Sequence, residues 1–126
     1  MPLGQIEAAS LARDWIEAFN AKDLERILSH YAPDVELVSP VYLRFTGGRT
    51  DRLQGRDALR SYFSGALELY PQLRFTLLEV AAGATSVVIR YQTSLGDQIA
   101  MECLELNEQR RATRVLCHYA PRATSG

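Results

Sequence analysis

The sequence predicts one α+β domain over residues 1–126, with helices first and an antiparallel sheet after them. Three observations carry this. Apolar residues recur at spacings of three and four across Ile6–Phe19 and again across Ala58–Tyr70. Beyond Pro71 the period changes from 3.6 to 2, and β-branched residues fill the later runs. The chain has 126 residues, 47% apolar and 23% charged, which is one domain's worth of ordinary globular protein, large enough to bury a core.

The elements follow in order. Ile6, Ala9, Ala12, Trp15, Ile16 and Phe19 form one helical stripe, which Asn20 and Ala21 break. Asp23 is placed to cap a second helix through Leu24, Ile27 and Leu28, and Pro33 ends that segment. Val35, Leu37 and Ser39 share one side of a short strand closed by Pro40. Residues 41–55 read as a loop with a small hairpin at Thr46–Arg49; Tyr42, Arg44 and Phe45 either cover a cavity mouth or simply connect. Gly55 precedes the third helix, Ala58 to Tyr70, and Pro71 stops it. Strands follow at Leu73–Leu77, Val87–Thr93, Ile99–Leu106 and Thr113–Tyr119, with turns at Gly83, Gly96-Asp97 and Asn107–Arg110 or Arg111. Runs of strands after runs of helices place the helices on one side of a sheet.

Composition excludes several classes. Fourteen Lys and Arg against fifteen Asp and Glu give a net charge of −1, so neither nucleic acid nor a membrane surface is an expected partner. Cys103 and Cys117 form no CxxC and read as buried free thiols. Met1–Gln5 lacks the basic and apolar regions of a secretory leader, and no apolar run is long enough to span a bilayer, so a cytoplasmic protein is expected. Two histidines in no ligand spacing supply no zinc site, and no Gly-rich phosphate cradle is present, so no cofactor is expected.

Polar residues in apolar company mark the candidate site. Glu102 lies in mid-strand on the side of Ala100, Leu104 and Leu106. A two-residue turn at Gly96-Asp97 puts Tyr91 directly opposite it. A carboxyl beside a phenol in an apolar pocket has a raised pKa and, when neutral, can donate a hydrogen bond to a developing oxyanion. His118 and Tyr119 point to opposite faces, so only one enters the pocket. A four-residue turn at Asn107–Arg110 puts Val115 across from Glu102, with Tyr119 on its face; a five-residue turn puts Leu116 and His118 there. His30 ends the second helix, where its interaction with the helix terminus is reason enough for it. The other side of the same strand, Ile99, Met101 and Cys103, is also apolar, so a homodimer through the outer sheet face is expected.

Trp15–Leu24, His30–Val35, Ser39-Pro40, Gly55–Arg60 with Tyr62-Phe63, and Arg114–Tyr119 together resemble the nuclear transport factor two-like superfamily, and its SnoaL-like branch in particular. The resemblance covers nearly the whole chain and is specific for fold but not for reaction. It implies a cone-shaped α+β barrel: three helices against a strongly curved antiparallel sheet around a deep apolar pocket, often dimeric through the sheet. It also implies a candidate site, residue by residue. Relative to ketosteroid isomerase, the catalytic base position holds Ser39 and the oxyanion-hole Tyr of the first helix is Trp15. The oxyanion-hole acid matches Glu102. A supporting Tyr matches Tyr31, and another falls at Phe63, beside Tyr62. With Ser39 as base, steroid isomerisation by that mechanism is not expected, because a serine pKa is too high for the proton abstraction. An epoxide hydrolase would need a second pocket carboxylate and an Arg, but Arg90 alternates out of phase with Glu102. Scytalone dehydratase chemistry would need an Asp partner for His118.

Two readings result. One is a cofactor-free acid–base enzyme (isomerase, cyclase or dehydratase) acting on a small apolar carbonyl compound. In it Glu102 and Tyr91 are catalytic, and Trp15, Tyr31, Ser39, Tyr62, Phe63, Val115 and Tyr119 or His118 bind. The other is a non-catalytic ligand-binding or dimerisation module with the same pocket.

Overall fold

The computed structural model describes residues 2–122; Met1 and residues 123–126, the ends of the expected 1–126 domain, lie outside the described range. Helix α1 (Gln5–Asn20) buries Ala8, Ala12, Trp15, Ile16 and Phe19. Ile6 stands 86% exposed, so the stripe does not reach the first turn. Leu3 is buried ahead of the helix instead, held by its N–H on the Ala84 carbonyl. Lys22 turns the chain with φ 58°, and Asp23 caps the short α2 (Leu24–Leu28) by accepting from the Arg26 N–H at 3.2 Å. The chain then enters β1 (Tyr31–Val38). Pro33 falls inside that strand, within the Tyr31–Glu36 interval where its register shifts. An irregular stretch is where a residue without an N–H is tolerated.

The segment expected as a loop is ordered differently. Pro40–Phe45 is a helix, α3. Ser39 is its N-cap, with Oγ accepting from the N–H groups of Val41 (3.1 Å) and Tyr42 (3.4 Å), and Pro40 supplies the first turn. Gly47 and Gly48, at φ 68° and 86°, unwind α3 rather than forming a hairpin. Strand β2 (Arg52–Gln54) follows and pairs with β1. The expected third helix is α4 (Arg56–Leu69). Four long strands complete the fold: β3 (Phe75–Ala82), β4 (Ser86–Thr93), β5 (Gln98–Leu106) and β6 (Ala112–Pro121).

The six strands form one curved, open sheet in the order β2-β1-β6-β5-β4-β3. All pairs are antiparallel except β1 with β6, which run parallel. Register shifts interrupt β1–β6, β3–β4 and β5–β6, and such irregularities bend and twist a strand. Helices α1 and α4 pack on the concave side, α1 against β3 and α4 against β1 and β2. Asn20 ties helix to sheet, since its side-chain amide bonds both the N–H and the carbonyl of Phe75, at 2.8 and 2.9 Å.

Two registers depart from expectation. Thr93 pairs with Gln98, so Ser94–Asp97 make a four-residue connection, and Tyr91 opposes Ala100 while Ile89 opposes Glu102. The slip is two residues, which leaves every side chain on its own face. At β5–β6 the connection spans five residues, from Leu106 to its partner Ala112, a length that should bring His118 inward. The shift between Glu105 and Leu106 leaves Thr113 as an extra residue and reverses the phase. Cys117, not Val115, therefore opposes Glu102, and Tyr119 opposes Ala100. His118 opposes Met101 on the outer face, where it is exposed.

Candidate active site

A cavity of about 650 Å³ lies between α1, α4 and the concave face of β4, β5 and β6. That volume is within the usual range for small-molecule sites. Its closed end is built from rings. Trp15 and Phe19 of α1 pack on each other with centroids 4.7 Å apart. Phe75 sits 4.5 Å from Tyr91 and 5.2 Å from Phe19, and Phe63 of α4 meets Phe19 edge-on at 5.2 Å. Tilted and edge-to-face contacts of this kind stabilise beyond the area they bury.

Into this apolar end projects one carboxyl. Glu102 is 6% exposed and accepts a 2.7 Å hydrogen bond on Oε1 from the Tyr91 hydroxyl. Burial pushes its pKa up to about 7, while the bonds from Tyr91 and Cys117 pull the other way. Desolvation dominates because no cation stands beside the carboxyl to favour its charged form. Burial also raises the Tyr91 hydroxyl well above its ordinary value, and Glu102 adds to that. The Cys117 thiol, likewise raised by burial and then by Glu102, borders both Glu102 and Ser39. The Tyr119 hydroxyl is raised by the same two causes and also meets Ser39. Burial lifts Tyr62 to about 12. Near neutral pH Tyr62, Tyr91, Tyr119 and the Cys117 thiol are therefore neutral donors, and of these five groups Glu102 alone changes its charge.

Of the residues singled out from sequence, Trp15, Tyr62, Phe63, Tyr91, Glu102 and Tyr119 line the cavity. Tyr31 does not. It is fully buried behind the wall, where its hydroxyl accepts the Trp15 Nε1–H at 2.9 Å and so fixes the indole. Ser39 is 3% exposed and is not a lining residue; its oxygen caps α3 and also meets the Cys117 thiol and the Tyr119 hydroxyl. Val115 shares Glu102's face but is fully buried in the core beside Leu104. Of the two alternatives left open, Tyr119 and not His118 enters the cavity, because the bulge turns His118 to the convex face with Nδ1 3.3 Å from the Met101 carbonyl. Arg90 opposes Met101, on the face away from Glu102.

Cys117 is buried and free as expected but also lines the cavity, a role the sequence did not show, and Cys103, expected buried, is only partly so; Phe75 was not singled out either. Asn20 was the available signal for Phe75, as a bonding amide where a helix ends. Arg44 and Phe45, left open as cover or connection, do line the cavity. Among the described residues no group of three His, Cys, Asp or Glu is placed to hold a metal ion, and no helix is long and apolar enough to cross a membrane.

Comparison with known proteins adds a frame. The family model for a SnoaL-like domain matches residues 12–119. A solved SnoaL-like protein of unknown function from Burkholderia thailandensis is 37% identical and superposes with a TM-score of 0.90 over 95% of this chain and 99% of its own. A protein from Kribbella flavida, provisionally described as a ketosteroid isomerase, is 20% identical, with a TM-score of 0.70 over 93% of this chain and 80% of its own. A provisional polyketide cyclase from Sinorhizobium meliloti is 12% identical, with a TM-score of 0.71 over 92% of this chain and 100% of its own. The last two show the fold alone. Among curated proteins, none matches.

Proposed function

Since the chain belongs to the SnoaL-like family, whose fold leaves the reaction to be argued from the site, we propose cofactor-free acid–base chemistry on a small apolar carbonyl compound held in the cavity. One observation carries this reading. Glu102, with a pKa near 7 and a Tyr91 hydrogen bond of 2.7 Å, is the only carboxyl among the described residues that line a largely apolar and aromatic chamber. An acid poised near the working pH is the useful kind.

The chemistry follows from the pair. Neutral Glu102 donates a hydrogen bond to the ligand's carbonyl oxygen from the carboxyl oxygen that Tyr91 leaves free. It passes its proton to that oxygen as a proton leaves the neighbouring carbon to water. The C–H electron pair becomes the C=C of the enol. Tyr91 donates to the carboxylate left behind and holds it until a proton returns. Isomerisation, aldol closure and dehydration all begin from such an enol.

Hydrogen–deuterium exchange tests this. Cyclic apolar ketones incubated in D2O are followed by proton NMR. The protein is expected to speed loss of the α-proton signal, the effect falling above pH 7 as Glu102 ionises, and Glu102→Gln is expected to remove about 100-fold of it. Exchange that Glu102→Gln leaves unchanged overturns the reading.

A second reading is favoured by Ser39. It occupies the expected base position but caps α3, and no other carboxylate lines the cavity. A binding module without turnover fits that. Ligands that raise the melting temperature yet show no catalysed exchange would select it.

We also assign a homodimer through the convex face. There Leu116, Cys103 and Val88 form a continuous row, with Met101 36% and Val88 37% exposed. A 14 kDa species in sedimentation at micromolar concentration would exclude it. Free thiols at Cys103 and Cys117 suit the reducing cytoplasm, where we place the protein.

A further inference from the structure

We propose that the ligand is an amphipathic acid, with an apolar body and carbonyl inside the cavity and an anionic group held at its mouth by Arg44. This rests on the reading of the cavity as a ligand site and narrows its chemistry.

Only two residues that line the cavity have an acidic or basic side chain, Glu102 and Arg44. They differ in depth. Glu102 is buried, whereas Arg44 belongs to α3 and is exposed, next to Phe45, which is 70% exposed. Leu69 (70% exposed) and Leu95 (39%) complete an apolar rim drawn from α4 and the β4–β5 connection. The rim carries no carboxylate to neutralise the arginine.

Arg44 is also in place and uncommitted. Its guanidinium makes no ion pair or hydrogen bond with a described residue, whereas Arg26, Arg60 and Arg114 are paired with carboxylates. It is close enough to Tyr62 to favour the ionised phenol. Helix α3 cannot drift far from the mouth: Ser39 caps it, and Tyr42 and Phe45 both meet Tyr62 edge-on, at 5.1 and 5.3 Å. A planar guanidinium beside an apolar rim is matched to a carboxylate, and such charge-assisted bonds are the stronger kind. Electrostatics then sets the direction of entry. An anion at the closed end would be repelled by Glu102 as it ionises; at the mouth it meets Arg44.

The test compares 6-phenylhexanoate with neutral 6-phenylhexanamide by titration calorimetry. Emission of Trp15, the single tryptophan and a lining residue, gives a second readout. The wild type is expected to bind the acid about tenfold tighter than the amide, as one charge-assisted contact gives, and to lose most of that preference in 0.5 M salt. Arg44→Met is expected to abolish the preference by weakening the acid alone, and Arg44→Lys to keep part of it. Arg49→Met, outside the cavity lining, should keep all of it. Equal affinity for acid and amide, or a preference that survives Arg44→Met, overturns this proposal and leaves the ligand-site reading standing. Failure of both probes to bind the wild type overturns both.

Discussion

Two carboxylates in this chain, Asp14 and Glu102, have acquired opposite properties from opposite surroundings. Asp14 lies on the outer side of α1 with its side chain 41% exposed. It accepts from Arg26 Nε at 3.0 Å and contacts Arg26 Nη2 and His30 Nε2, the latter at 2.6 Å. Arg26 first of all, and His30 after it, hold its pKa below the usual carboxylate range. Glu102 has a phenol and a thiol for company, and burial holds its pKa well above that range. The Asp14 cluster has more polar partners and shorter contacts, yet it is an ordinary surface network. A carboxyl is informative where charge is disfavoured and the fold nonetheless keeps it. The comparison also separates what each does for stability, and three substitutions sharpen it.

The largest effect belongs to Glu102→Gln. A carboxyl with a native pKa of about 7 and an unfolded value of 4.5 favours the fold below pH 4.5 and loses that contribution as pH rises to about 7. Above pH 7 the buried charge costs about 3 kcal/mol relative to a neutral side chain, from 1.36 kcal/mol per unit. Glu102→Gln is therefore expected to be more stable than wild type in urea at pH 8 by up to about 3 kcal/mol, and nearly equal to it at pH 4. Equal stabilities at pH 8 would mean that Glu102 reaches water.

Tyr91→Phe comes next. The lost hydroxyl stabilises the ionised carboxyl, so the Glu102 pKa is expected to rise above 7 in the variant. Stability at pH 8 should fall by about 2 kcal/mol, the range of a hydrogen bond to a charged group. A Glu102 carboxyl carbon titrating by NMR at an unchanged or lower pH would show that the phenol is a bystander.

How much of this was legible in sequence depends on what each element answers to. Alternation alone assigned Glu102 and Tyr91 to one face, and a two-residue error in register did no harm because it preserves parity. The same reasoning could not choose between His118 and Tyr119. That choice turned on one extra residue at Thr113, and a bulge leaves no mark in a polar, β-branched stretch. Helix α3 was missed because Ser39-Pro40 was read as the end of a strand, although Ser before Pro is equally an N-cap followed by a first turn. The parallel β1–β6 pair was invisible too. Its partners lie at opposite ends of the chain, where local periodicity says nothing about pairing. Cys117 was rightly expected to be buried and free, but its place in the cavity wall was not legible, because a thiol in a strand looks the same whether it fills a core or walls a cavity.

The smallest effect is at Asp14, and it has the opposite sign with pH. A depressed pKa contributes stability above the unfolded value of 3.8, which is lost as pH falls through the native one. Asp14→Asn should therefore be less stable than wild type at pH 7, and the two should converge once the pH falls below the native value. Solvent screens a carboxylate this exposed, so the loss should not exceed about 1 kcal/mol, and 0.5 M salt should shrink it further. The same salt should leave the Glu102→Gln difference almost unaltered, because ions do not enter a site that is 6% exposed. Denaturation of both variants at two salt concentrations thus separates the carboxylates without reference to any ligand. If salt moved both differences equally, burial would not be what distinguishes them, and the claim of Glu102 to a chemical role would lose its physical basis.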